Sequence, residues 1–306
     1  MAGSEDRTGL PIAAVERETG IPKESLRMWE RRYGFPSPAR NAAGDRVYTR
    51  PEVDKLRLIR RLMEMGLRPG RLVRLSADEL SALAIVRRPE CPVPDVCVDF
   101  AERLTGHDPY ALRELMQRRL FELGLRRFVS EFLSHANRLV GEAWMRGDAE
   151  AYEEHLYTEE VKRLLRETLA AIPVSGERPR VMLTTCRGEA HSIGLMMVET
   201  ILRLSGAQTI GFGTELPLAD IAGAAAKHRV DVVALSFSVS YQGAPLADVQ
   251  RLLPMLPASV EVWAGGGACA GLGHDTPRLH LFGDLAAIDA ALDDWRVRHA
   301  GRLAEP

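Results

Sequence analysis

The sequence predicts a multidomain chain of α and α/β character: a winged helix-turn-helix, then a four-helix bundle, then a doubly wound parallel α/β sheet. Three observations carry this. Positive charge is concentrated in the first 88 residues, apolar residues recur at three and four through about 95–173, and short apolar runs alternate with helical patterns from about 178 onward. The expected boundaries are 1–88, 95–173 and 178–306.

A chain of 306 residues, 46% hydrophobic and 27% charged, is long enough for two or three cores. The start MAGSEDRTGL has no apolar signal-peptide core, and no apolar run approaches the roughly 20 residues a bilayer needs. A cytoplasmic protein is expected. Cys91, Cys97, Cys186 and Cys269 show neither a CxxC pair nor zinc-finger spacing, which argues against a disulfide framework or a structural zinc site. The net charge of −2 hides an asymmetry: residues 1–88 hold 18 Lys+Arg against 12 Asp+Glu, a net of +6, leaving 22 against 30, or −8. A basic leading domain ahead of an acidic remainder points to a polyanion contact made by the first.

Leu10 to Gly20 has Ile12, Val15 and Thr19 on one helical face, and Thr19-Gly20-Ile21-Pro22 turns the chain into a second helix, Lys23 to Gly34. That helix keeps Leu26 and Trp29 for the core and leaves Arg27, Arg31 and Arg32 outside, the plan of a helix-turn-helix. Phe35 to Tyr48 reads as a two-stranded wing with Asn-Ala-Ala-Gly-Asp at its tip, flanked by Arg40 and Arg46. Pro51 to Gly66 then repeats Val53, Leu56, Ile59, Leu62 and Met63 and should pack on the first two helices. Leu26-Arg27-Met28-Trp29-Glu30-Arg31-Arg32-Tyr33-Gly34, followed by Arg46-Val47-Tyr48-Thr49 leading into an acidic helix start, resembles the MerR family of winged-helix transcription regulators over about a quarter of the chain. The resemblance implies operator DNA as a partner. Arg27 and Arg31 or Arg32 would lie in or along the major groove, and Arg40 and Arg46 would hold phosphates, with Tyr48 also at the DNA face.

Three prolines in Pro89 to Pro94 mark a stiff linker. Beyond it come helical patterns at about 95–104, Asp108 to Leu123, Leu125 to Met145 and Ala149 to Ile172, an antiparallel bundle. Trp144 is followed after nine residues by Glu154-His155, with Gly147-Asp148 breaking the helix between, so the three can converge at one end of the bundle.

The α/β alternation begins with a strand at Arg180 to Cys186 and a helix from Ser192 to Ser205. Strands at Thr209 to Phe212, Asp231 to Ser236, Val260 to Ala264 and Leu279 to Phe282 alternate with helices at Pro217 to His228, Pro245 to Leu253 and Asp284 to Arg298. The implied Rossmann-like sheet binds ligands at the carboxyl ends of its strands. Three polar loops fall there: Glu189-Ala190-His191 with Gly194, Ser236-Phe237-Ser238, and Gly265-Gly266-Gly267. A carboxylate two residues before a histidine suits a tuned metal ligand, since it can fix the tautomer while the other ring nitrogen faces the metal. GxGxxG is absent after the first strand, which excludes the usual dinucleotide fingerprint.

This set resembles the cobalamin-binding domain, whose signature is Asp-x-His-x-x-Gly, a serine pair and Gly-Gly. The resemblance implies His191 as lower ligand of cobalt, Glu189 on its far nitrogen, and Gly194, Ser236, Ser238, Gly265 and Gly266 along the nucleotide tail. Glu189 departs from the usual Asp. Its extra methylene shifts the carboxylate by about 1.5 Å, which keeps the chemistry of the relay and leaves its geometry open.

Head, bundle with Trp-x9-Glu-His, and cobalamin module in this order resemble the CarH/LitR light-sensing repressors over nearly the whole chain. That family implies a regulator and no enzyme, with adenosylcobalamin as cofactor, Trp144, Glu154 and His155 sheltering its upper face, and a dark dimer or tetramer on operator DNA that disperses in light. Where well-known members carry a histidine after the Trp, this chain has Met145, a soft and weak partner for oxidised cobalt. The lit form is therefore expected to keep water or another exogenous ligand. Two other readings share these residues. One is a regulator sensing another cobalamin form, redox state or an additional chromophore. The other is a corrinoid carrier for a methyltransferase, which has no use for the basic head.

Overall fold

The computed structural model describes residues 9–41, 44–64, 67–85, 97, 99–106, 108–146, 148–173, 176, 178–241, 243–273 and 276–300. Residues 1–92 with 142–149 form one compact unit, and 93–141 with 150–306 form another. The proline linker expected near residues 89–94 lies outside the described residues.

The first unit runs β1 (Leu10–Pro11), α1 (Ile12–Thr19), α2 (Lys23–Tyr33), β2 (Ala39–Arg40), β3 (Arg46–Tyr48), α3 (Arg50–Glu64), α4 (Pro69–Leu72) and α5 (Ala77–Ile85). Val15, Leu26, Trp29, Val53, Leu56, Ile59 and Leu62 form its core, the apolar stripes that the helical spacing placed on one face. The wing is three-stranded, in the order β1-β3-β2, because Leu10 pairs with Tyr48 before the chain enters α1. A reciprocal cap starts α3: Glu52 accepts from the Thr49 N–H at 2.8 Å, and its own N–H donates to the Thr49 hydroxyl at 3.4 Å. The other Glu52 oxygen accepts from the Ser37 N–H at 2.8 Å, tying the wing's base to α3. The short α4 and the nine-residue α5 were not among the expected elements; the four residues of α4 cannot show a helical period.

The second unit begins with α6 (Phe100–Thr105), α7 (Pro109–Arg127), a π-helical turn at Phe128–Leu133, α8 (Ser134–Arg146), whose residues from 142 on group with the first unit, and α9 (Ala151–Ala171). The ring of Phe100 packs edge-on against Phe132 and Tyr157, with centroids 5.8 and 5.4 Å apart. Tyr157 donates to Asn137 Oδ1 at 2.7 Å, joining α9 to α8, and Arg113 grips Glu160 with two bonds of 2.9 and 2.8 Å, joining α7 to α9.

The rest alternates: β4 (Arg180–Thr184), α10 (Ile193–Leu204), β5 (Gln208–Gly211), α11 (Leu218–Lys227), β6 (Val232–Ser236), α12 (Pro245–Leu252), β7 (Glu261–Gly265), β8 (Leu279–Phe282) and α13 (Ala287–Arg298). The strands are parallel in the order β5-β4-β6-β7-β8, so the winding reverses between β4 and β6. That reversal opens a crevice at the carboxyl ends of those two strands. The helical layer is fastened to this sheet layer: Arg126 reaches Asp289 on α13 at 2.5 Å and Ser205 at 3.0 Å, and Asn137 reaches the Met197 sulfur on α10 at 3.2 Å. Among the described residues, no helix is long and apolar enough to cross a membrane.

Candidate functional site

At the end of β4 the chain leaves the sheet through a loop whose backbone is held from below. The Thr185 hydroxyl donates to the Glu189 carbonyl at 2.5 Å and accepts from the Glu215 N–H at 2.8 Å, so the loop cannot drift from the sheet. Glu189 points inward, its side chain 1% exposed. One carboxylate oxygen takes the His191 N–H at 2.9 Å and lies 2.6 Å from His191 Nδ1; the other takes the Ser238 N–H at 2.7 Å. Ser238 follows β6, so one buried carboxylate bridges the two strands between which the winding reverses. The Ser238 hydroxyl also lies 3.1 Å from His191 Nδ1.

Electrostatics follow from this wiring. Burial alone would raise the Glu189 pKa, but hydrogen bonds from His191 and Ser238 outweigh it and hold the carboxyl below its ordinary value. The bond to Glu189 lifts the His191 imidazole above its ordinary value, against burial. The ring is 61% exposed, so with Nδ1 committed to Glu189 it is Nε2 that is left for a ligand.

Two glycines keep the crevice walls close. At Gly194 a Cβ would meet the Ser236 hydroxyl at 2.6 Å, so a side chain at the start of α10 would have to turn that hydroxyl aside. At Gly266, φ is +105° and a Cβ would lie 2.3 Å from the Phe237 carbonyl oxygen, which shuts out any other residue. Gly265 pairs with Ser236 in the sheet, setting the β6 and β7 ends side by side.

On α9, His155 Nδ1 lies 2.8 Å from Glu154, whose other oxygen accepts from the Thr158 hydroxyl at 2.8 Å. The charge of Glu154 raises the His191 pKa and that of Lys162 lowers it, both after the larger effects of the Glu189 bond and burial. Trp144 is half-buried near the end of α8, among residues that group with the first unit. The side chain of Met145 lies outside the described residues.

In the first unit, Arg27, Arg31 and Arg32 stand exposed along α2. The guanidinium of Arg32 sits over the Tyr33 ring at 5.4 Å, and Arg74 lies over the same ring at 5.6 Å. Arg40 donates to the Gly44 carbonyl at 2.7 Å and so braces the tip of the wing. Arg46 is drawn back onto α2 by Glu30 at 2.7 Å, which fixes the wing relative to the recognition helix.

The sequence matches the family description "MerR HTH family regulatory protein" over residues 10–78 and "B12 binding domain" over residues 179–288. It is 29% identical to the HTH-type transcriptional repressor CarH of Myxococcus xanthus over 81% of this chain and 86% of that protein. It is 31% identical to the repressor CarA of the same organism over 74% of this chain and 76% of that protein. The chain belongs to the CarH/CarA family. It is a cobalamin-binding transcription regulator with a MerR-type DNA-binding head. A solved monomethylamine corrinoid protein of Methanosarcina barkeri, 17% identical, shares the fold, with a TM-score of 0.51 over 65% of this chain and 98% of that one.

The crevice of this CarH-type chain fits the cofactor. Among the described residues no cluster of three or more His, Cys, Asp or Glu could hold a bare metal ion. With Nδ1 already paired to Glu189, the single exposed imidazole of His191 could offer Nε2 to the cobalt that a bound cobalamin would bring. Glu189 reaches Nδ1 at 2.6 Å, so its extra methylene does not open the relay; the second oxygen uses the added reach to take the Ser238 N–H.

Tyr48 requires a correction. Expected at the DNA face, it is 0% exposed, packed in the core of the head opposite Leu10. Burial there raises its phenol pKa, and its part is to seat the wing. Thr185, and the exposed Arg68, Arg71 and Arg74 around α4, were missed by sequence reasoning. A threonine at a strand end carries no signal until the loop above it is known, and Arg71 lies in, and Arg68 and Arg74 flank, a helix too short to register.

Proposed function

We propose that the chain is a light-responsive repressor that holds operator DNA as an adenosylcobalamin-loaded dark oligomer and releases it on illumination. The observation that carries this is the Glu189 carboxylate shared between His191 Nδ1 and the Ser238 N–H, in a chain that also has a DNA-binding head. Adenosylcobalamin supplies a cobalt–carbon bond that visible light breaks.

The chain's own residues divide the remaining work. His191 presents Nε2 to the cobalt, while Glu189 holds the tautomer and orients the ring. Gly194, Ser236, Ser238, Gly265 and Gly266 leave the narrow slot that the nucleotide tail enters. Glu154 and His155 would shelter the adenosyl group from water, a role in which the family resemblance also places Trp144; Glu154, tied to both His155 and Thr158, is held in place before any ligand arrives. Displacing that shelter biases a bistable helical layer between an assembling and a dispersing form. Arg27, Arg31 and Arg32 enter or follow the major groove, and Arg40 and Arg46 contact phosphates from the wing.

The test is to load the protein with adenosylcobalamin in darkness and measure its mass and operator binding before and after green light. The expected result is a dark oligomer that loses mass and DNA together on illumination. A mass and an operator affinity unmoved by light would overturn light sensing. If hydroxocobalamin or reduction then produced the shift, the same site would be read as a sensor of cobalamin form or redox state.

A further inference from the structure

Helix α7 has two opposed faces. Leu112, Leu115 and Met116 are buried against the rest of their unit. At about 100° per residue, Tyr110, Glu114, Gln117 and Phe121 share the opposite face. Phe121 is 91% exposed and Tyr110 75%, an unusual cost for two aromatic rings on a helix whose polar positions are otherwise charged. Between them, the Arg118 guanidinium meets Glu114 at 3.0 Å, and this ion pair is also open to solvent.

Taken in reverse order, this face is its own complement. Tyr110 and Phe121 are centred between residues 115 and 116, and Glu114 and Arg118 are centred on residue 116. The two centres differ by half a residue, about 0.75 Å along a helix. A two-fold axis there lays α7 antiparallel on α7 of a second copy, with Tyr110 against Phe121 and Glu114 facing Arg118 at both ends. A parallel arrangement would oppose like charges. Arg113, held by Glu160 at 2.8 Å, carries its guanidinium over the Tyr110 ring at 5.9 Å and so steadies that ring while its charge is already paired.

We propose that the outer face of α7 is a two-fold contact between copies of this chain, made by Tyr110 and Phe121 and oriented by Glu114 and Arg118. Exposed aromatics supply the contact energy of such self-matching patches, and edge charges set their orientation. One helix face buries less than the roughly 1,000 Å² of a self-sufficient interface, so the contact is weak alone and adds to others in the oligomer. It rests on the reading of the chain as an oligomeric regulator.

Sedimentation of the full-length protein, loaded with adenosylcobalamin and kept dark, tests this. Phe121→Ser and Tyr110→Ser are expected to weaken self-association at least tenfold while the cobalamin absorption spectrum stays that of the wild type. Glu114→Arg and Arg118→Glu should each weaken it too. Mixing those two single variants should restore it, because every contact between them sets arginine against glutamate. Within each variant chain the charges are alike, so the internal pair cannot explain such a rescue. Variants that keep the wild-type association, or a mixture that restores nothing, would overturn the α7 contact alone. A wild type that never self-associates would overturn the oligomeric reading with it.

Discussion

The Glu189–His191 pair was legible because the whole device lies within three consecutive residues, and a carboxylate two positions from an imidazole can reach it whatever surrounds them. The share taken by Ser238 was not, since only the fold brings a residue 47 positions from His191 to the same carboxylate. Tyr48 was misread for the same reason: which side of a three-residue strand is covered depends on the helices that pack on it. Glu189→Gln is expected to weaken cobalamin binding by about 10–100-fold, the usual cost of losing the partner behind a metal-bound histidine. Titration followed by absorbance checks it, and an unchanged affinity would remove the relay. Glu189→Asp is expected to keep cobalamin binding near the wild-type level but, being too short to serve both His191 and the Ser238 N–H, to lower stability by about 1–2 kcal/mol in denaturant unfolding. The glycines separate fold from site. Gly266→Ala sets a Cβ 2.3 Å from a carbonyl at φ +105° and should cost about 3 kcal/mol or more. Gly194→Ala meets only a serine hydroxyl that can rotate, so it should cost about 1 kcal/mol at most and act mainly on cobalamin affinity.

Among the elements, long amphipathic helices and buried strands were legible because periods of 3.6 and runs of apolar residues repeat enough times to show. The π-helical turn and α4 were not, because neither is long enough to set a period. One junction that no motif marks carries a pH dependence. Glu261, at the start of β7 and 4% exposed, receives Trp263 Nε1 at 3.2 Å and Arg298 of α13 at 2.5 Å, with His280 of β8 at 3.1 Å. Burial alone would raise its pKa, but the contacts with His280, Arg298 and Trp263 outweigh that and hold it at about 2, against an ordinary 4.5. The folded-state value is depressed, so the stabilisation is fully present above about pH 4.5 and is lost as the pH falls toward 2. It amounts to something on the order of 3 kcal/mol. Unfolding of the wild type and of Glu261→Gln should therefore differ most at neutral pH and converge as the pH falls toward 2. A gap that stays constant across that range would mean the carboxylate's charge is not what fastens α13 to β7.

For the whole molecule, the charge division announced two jobs, a cationic head and an acidic remainder, before any element was placed. Sequence could not give the link between those jobs, which on the proposed reading runs through contacts between copies and a ligand. On that reading the physical form of the link is effective concentration. A single head that neutralises a few phosphates binds DNA weakly and with strong salt dependence, whereas heads joined in one assembly bind a repeated operator with a gain of about 10²–10⁴ and no new interaction with DNA. The two contributions can be separated by substitution. Arg31→Ala removes a cation from α2, so it should weaken operator binding in the dark and in the light alike and reduce the salt slope by about 0.9 for each phosphate left unneutralised. His191→Ala leaves the head untouched, so it should abolish the cobalamin-dependent gain while each head keeps its own salt slope. Operator titrations at several salt concentrations, dark and lit, check both. If His191→Ala retained the full dark affinity, cobalamin would not control assembly in this chain, whatever the geometry of the crevice that holds it.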